Sequence, residues 1–186
     1  MFFFKSCSPI KWQKFNKNFV ISLSIAAIIA LLDLLSKRVI FNYLDSHGDI
    51  NQFGSFLNIT GFFNLVKVEN NGVSFGLFSN WQYSYITFSI LQSVIGLAII
   101  IWSLYNQKLI ISFSLGLIAG GAFGNAIDRI ITGKVADFLD FYWQNYHWPA
   151  FNLADSAVFI GVCIFIWHDF FGKNKQNIGQ NNNDNQ

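Results

Sequence analysis

Four long apolar runs constrain this chain more than any other feature. The first, Phe19 to Ser36, reads FVISLSIAAIIALLDLLS. At 1.5 Å per residue about 18 residues rise roughly 27 Å, close to the thickness of a bilayer's hydrocarbon core. In lipid the backbone must satisfy its own hydrogen bonds, so a run of this kind is a helix. No small-x-small cleavage site follows it, only Asp33 and then Lys37-Arg38, so it reads as a retained membrane helix rather than a secretory leader. Composition agrees. Only 12% of the 186 residues are charged and 22 are Phe, against about 25% charged in a typical soluble domain. A net charge of +2 is too small to suggest a nucleic-acid partner. The expected class is a mainly α membrane protein, with four transmembrane helices and a small antiparallel sheet on the outer membrane surface.

The runs divide a single integral membrane domain. Residues 1–18 carry Lys5, Lys11, Lys14 and Lys17 without an acid and read as a basic cytoplasmic tail. The spans are expected at 19–40, 84–104, 109–125 and 150–171. Between them lie an outer β-rich segment at 41–83 and an outer loop at 126–149. A polar Asn/Gln tail at 172–186 reads as disordered and cytoplasmic. The β expectation rests on Phe62 to Glu69, where Val66 and Val68 alternate with Lys67 and Glu69, and on the turn signal Asn70-Asn71-Gly72. An even number of spans puts both termini on one side. The lysines of the short inner segments make that side cytoplasmic. Most of the acids then fall on or near the outer side.

The chemistry concentrates in Gly133 to Ser156, GKVADFLDFYWQNYHWPAFNLADS. Asp155 stands at the mouth of the fourth span, where an ionisable side chain is costly and usually functional. Asp137 lies between Val135-Ala136 and Phe138-Leu139. Two carboxylates in low-dielectric surroundings suggest an acid/base pair sharing a proton. Asp140, further along the aromatic loop, reads as a solvated carboxylate. Asn152 suits a helix cap after Pro149.

In the third span Gly116, Gly120 and Gly124 share one face, the spacing that lets membrane helices approach closely. Asp128 follows on that face with Asn125 and Arg129 beside it, and Arg129 is the expected ion-pair partner of Asp128. Asp33 and Lys37, four residues apart, read as a snorkelling interfacial pair. Cys7 and Cys163 are poor disulfide partners, the three histidines are scattered, and no HExxH appears. No Ser-Lys or Ser-His arrangement stands out either. The expectation is therefore a reaction with neither metal nor cofactor.

These blocks together resemble the lipoprotein signal peptidase family, signal peptidase II. They run in order along nearly the whole chain: Asp33-Leu34-Leu35-Ser36-Lys37, Asn71-Gly72-Val73-Ser74-Phe75-Gly76, Gly120 to Arg129 (GGAFGNAIDR), Val135-Ala136-Asp137-Phe138, and Pro149 to Ser156 (PAFNLADS). The second block departs mildly from the family pattern at Asn70, Val73 and Ser74. The resemblance implies an aspartic endopeptidase with Asp137 and Asp155 as its dyad. It implies that Asn71, Gly72, Asn125, Arg129 and Asn152 bind substrate or order the site, and that Asp33, Lys37 and Asp128 support it. The implied substrate is a prolipoprotein whose lipobox cysteine carries diacylglycerol, cut just before that cysteine. The expected enzyme is a monomer in the bacterial inner membrane, working on its outer face. A proton-coupled transporter is the alternative reading. It would want carboxylates near the bilayer midplane, often on broken helices, whereas these cluster at one end.

Overall fold

The computed structural model describes residues 17–51, 54–71, 83–106 and 108–183, with side chains described through 170. In chain order the elements are α1 (Lys17–His47), β1 (Asp49–Asn51), β2 (Gly54–Thr60), β3 (Phe63–Asn70), α2 (Ser84–Ser103), α3 (Leu109–Thr132), β4 (Val135–Trp143), β5 (Tyr146–His147) and α4 (Leu153–Asn183). Among the described residues all four helices are long and apolar enough to cross a membrane. With the antiparallel sheet they give the expected architecture.

Helix α3 is the hub. Two-thirds of its apolar stretch is buried (67%), against 22%, 22% and 17% in α1, α2 and α4. Its glycines explain this. A Cβ on Gly116 would stand 2.8 Å from the Ser22 carbonyl, one on Gly120 2.8 Å from the Ala26 carbonyl, and one on Gly124 2.7 Å from Asp33 Oδ2. The repeat of four therefore lays α3 directly on α1, as small-xxx-small spacing does in membranes. Gly121 points the other way, where a Cβ would collide with the Ala154 carbonyl of α4. The outer faces of α1, α2 and α4 keep exposed apolar side chains, among them Leu31, Val94 and Phe159. That is how lipid-facing surfaces are built.

The sheet is an antiparallel meander in the order β1-β2-β3-β4-β5. Strand β4 follows α3 in sequence yet pairs with β3, through Asn64↔Asp140, Val68↔Asp137 and Asn70↔Val135. Residues 126–149, expected as an outer loop, thus hold the end of α3 and two strands. A bulge in β3 between Leu65 and Val68 changes the register there. It interrupts the simple alternation seen in the sequence.

The helices also run past the expected spans. Helix α1 continues to His47, where Leu44 is buried and its carbonyl accepts the Gly48 N–H at 2.9 Å. Helix α3 continues to Thr132 because Asp128 and Arg129, which read as the end of an apolar run, turn inward and are buried. It stops at Gly133, whose φ of +78° suits a left-handed C-terminal cap. The polar residues after 171, expected to be disordered, continue α4 through Asn183. No proline lies there to stop the helix.

Candidate active site

Asp137 and Asp155 come together through main-chain pairing. Phe151 forms an isolated antiparallel bridge with Leu139 of β4. Its carbonyl accepts the N–H groups of Phe138 (3.0 Å) and Leu139 (2.9 Å), and its own N–H reaches the Leu139 carbonyl (3.1 Å). The segment before α4 is therefore clipped to β4, and Asn152 is set beside Asp137. Asn152 also caps α4. Its Oδ1 accepts the Asp155 N–H at 3.0 Å, and Asp155 Oδ2 accepts the Asn152 N–H at 3.4 Å. This is a reciprocal capping box with aspartate in the third position.

The amide of Asn152 links the two acids. Its Nδ2 donates to Asp137 Oδ1 at 2.7 Å and contacts Asn125 Oδ1 at 3.2 Å. Asn125 Nδ2 donates to Asp155 Oδ1 at 2.8 Å. Asn70 Nδ2 donates to the second oxygen of Asp137 at 3.1 Å. Asp137 is almost fully buried, at 3% exposure. Burial, with the Asp155 charge adding to it, pushes its pKa from 3.8 up to about 6, while the amides of Asn70 and Asn152 pull the other way. The site thus contains one carboxyl biased toward holding a proton and a second joined to it through two asparagines.

A buried ion cluster braces this arrangement. Lys37 Nζ lies 2.7 Å from Asp33 Oδ2 and 3.2 Å from Asp128 Oδ2, and donates to Asn125 Oδ1 at 2.9 Å. Asp33 Oδ1 accepts the Ala154 N–H at 2.9 Å, which fixes the first turn of α4. Asp128 Oδ2 accepts the Ala136 N–H at 2.9 Å, which fixes the start of β4. One lysine therefore ties together the supports of both candidate catalytic strands of chain. Arg129 is buried beside it, donating from Nη1 to Gln92 Oε1 at 2.8 Å and lying 5.8 Å from the Phe88 ring centroid. Asp137, Asp155 and Asp128 are its electrostatic partners.

Several sequence expectations change here. The ion-pair partner of Asp128 is Lys37, not the neighbouring Arg129, because adjacent helical residues do not face each other. Asp33 and Lys37 are not a snorkelling pair: at 0% and 3% exposure they face α3 and α4. Asn71 offers its carbonyl to the Ser84 hydroxyl at 2.8 Å, and it is Asn70 whose side chain reaches Asp137. Gly72 lies outside the described residues. Asp140 is buried rather than solvated. It accepts from Asn64 Nδ2 at 3.0 Å, and His147 Nδ1 stands 2.9 Å from its Oδ2.

The sequence reading missed Asn70, Gln92, Asn64 and His147. A signal existed for Gln92, a lone amide in an apolar span that needs an internal partner. The other three depend on strand pairing. Among the described residues no group of three or more His, Cys, Asp or Glu side chains could hold a metal ion.

Comparison with known proteins is consistent over most of the chain. The model of the family described as signal peptidase (SPase) II matches residues 25–171. A lipoprotein signal peptidase of Cupriavidus necator is 39% identical over 87% of this chain and 83% of its own length. One from Francisella tularensis subsp. mediasiatica is 41% identical over 81% and 92%. Two solved structures, each described as a bacterial membrane enzyme determined by the in meso method, are similar at 28% identity. Their TM-scores are 0.67, covering 84% of this chain and 90% of the other, and 0.62, covering 78% and 89%.

Proposed function

The chain belongs to the signal peptidase II family, so its activity is that of a lipoprotein signal peptidase, and we propose that Asp137 and Asp155 perform the hydrolysis. The observation that carries this reading is the Asn152 side chain. It donates to Asp137 while accepting from the main chain of Asp155.

The ionised carboxylate takes a proton from a water molecule as that water attacks the scissile carbonyl. The protonated carboxyl donates to the carbonyl oxygen, so the tetrahedral intermediate carries no free charge. Collapse of the intermediate returns a proton to the leaving amine. Such a pair must hold one proton between two acids. The elevated pKa of Asp137 suits it to hold that proton. A peptide covering the site removes further water and acts in the same direction.

Asn152, Asn70 and Asn125 orient the two carboxyls, and Arg129 offsets their negative charge. Asp33, Lys37 and Asp128 hold α4 and β4 in place. The substrate is a diacylglyceryl-modified prolipoprotein, cut just before the lipidated cysteine. Asp137 lies on β4, outside the four spans. A site there lets the acyl chains stay in the bilayer while the peptide lies against the sheet. The transporter alternative is not favoured for the same reason. We place this end of the bundle on the outer face of the inner membrane, with both termini cytoplasmic, and take the enzyme to be a monomer. Reporter fusions at Asn58 and Asn145 reading outside, and one after Lys175 reading inside, are the expected signs of that orientation.

The direct test incubates the purified protein with a diacylglyceryl-modified prolipoprotein and weighs the products. The expected products are a free signal peptide and a chain beginning at the lipidated cysteine. An intact substrate, or a cut elsewhere, overturns the reading.

A further inference from the structure

A cavity of about 200 Å³ opens between the ends of α1 and α3 and the strands β3 and β4. Its charged lining is Lys37, Arg38, Glu69, Asp128 and Lys134, and Leu34 and Ile131 are among its apolar side chains. Lys37 and Asp128 form its inner wall but are committed to each other and to Asp33. Lys134 is paired with Glu69 at 2.5 Å. Among the described residues the Arg38 side chain makes no hydrogen bond or ion pair, and the residue is exposed. It is therefore the cation of this cavity that makes no ion pair, whereas Lys37 and Lys134 are each held by an acid.

The depth of the cavity identifies what reaches it. Arg38 lies 19 residues beyond Phe19 on one continuous helix, roughly 29 Å along the axis. That is about one hydrocarbon thickness, so Arg38 sits at headgroup level. Next to it the lipid-facing surface is apolar: Leu35 and Val39 on α1 are 49% and 64% exposed, and Ile130 and Ile131 on α3 are 66% and 59% exposed. A cation above, apolar side chains below and a hollow between them fit a phosphate with acyl chains attached. They do not fit the diacylglyceryl group of a prolipoprotein, which has no phosphate.

We propose that this cavity is a binding site for the phosphodiester of an anionic bilayer phospholipid, with Arg38 as its charge partner and the acyl chains lying along Leu35, Val39 and Ile131. An anionic headgroup is favoured over a zwitterionic one. Glu69, the lining acid outside the Lys37 cluster that could attract an ammonium, is already held by Lys134. This inference is independent of the assignment of the catalytic dyad.

The test uses the full chain in lipid nanodiscs with spin-labelled phosphatidylglycerol or phosphatidylcholine, and reads the motionally restricted fraction. Wild type should favour phosphatidylglycerol by about fivefold, the effect of one basic side chain at an anionic surface. Arg38→Gln should abolish the preference, Arg38→Lys should keep most of it, and Lys108→Gln, near the far end of α3, should leave it unchanged. Three results would each overturn the site: no preference in wild type, full preference in Arg38→Gln, or an equal loss in Lys108→Gln, which would mean diffuse charge only. Inorganic phosphate replacing chloride at matched ionic strength should not release the lipid. If it does, the cavity selects free phosphate and the lipid assignment fails.

Discussion

Asn152 Nδ2 lies 2.7 Å from Asp137 Oδ1, across 15 residues of sequence. The same side chain accepts the main-chain N–H of Asp155 through its Oδ1. One amide thus fixes the orientation of an acid on a strand and caps the helix that carries a second acid. The two carboxyls are set by a shared neighbour rather than by loop flexibility.

The first consequence concerns the acids themselves. Asp137→Asn and Asp155→Asn should each lower turnover by about 10²–10⁴-fold, the usual contribution of a positioned proton-transfer group. The double variant should be little worse than either single one, because the pair acts as a unit. Binding of lipidated substrate should persist. Cleavage assays on folded, purified variants check this, and a dyad variant keeping more than about a tenth of wild-type turnover removes that residue from the mechanism.

Titration gives a second test. The folded pKa of Asp137 is raised from 3.8 to about 6, so between these values the folded protein holds a proton that the unfolded chain has lost. Stability should therefore fall as pH rises from about 4 to about 6, by as much as about 3 kcal/mol. Asp137→Asn should remove this part of the pH dependence. Asp155→Asn should move the Asp137 titration downward, because the Asp155 charge is part of its cause. Unfolding free energies against pH, and the infrared band of the protonated carboxyl, read the two effects.

Lys37 joins the supports of α4 and β4, so Lys37→Met should be among the most destabilising changes in the chain. It leaves Asp33 and Asp128 buried without their cation, a loss of about 3–5 kcal/mol for a broken buried pair. Lys37→Met combined with Asp33→Asn and Asp128→Asn should recover part of that loss. Unfolding in mixed micelles compares the three forms. A single variant as stable as wild type contradicts the bracing role.

Asp140 should matter for stability more than for cleavage. Asp140→Ala strips the buried Asn64 amide of its acceptor and releases His147. Leaving a buried donor unmet costs about 1–3 kcal/mol. The melting temperature should fall while turnover by the folded fraction stays near wild type. A large drop in turnover at unchanged stability would instead assign Asp140 to the reaction.

The sequence alone determined the parts of this protein that depend on local composition. Hydropathy fixes where the chain enters lipid, since an 18-residue apolar run has one low-energy state there. The spacing of Gly116, Gly120 and Gly124 fixes which face of α3 admits a close neighbour. Asp137 and Asp155 stood out because acids beside apolar segments are costly wherever the chain goes. The tertiary structure decided which residues meet. Lys37 reaches Asn125 across 88 positions and Asp33 reaches Ala154 across 121. Such pairings follow from helix packing and strand register, which no local pattern encodes. Asn70 rather than Asn71 touches Asp137 because Asn70 is the last residue of β3, placed by its pairing with β4, whereas Asn71 lies past the end of the strand. Asp140 is buried for a related reason: β4 pairs with β3 and sets it opposite Asn64. Its surroundings come from a strand 76 positions away, not from the aromatic residues beside it in sequence.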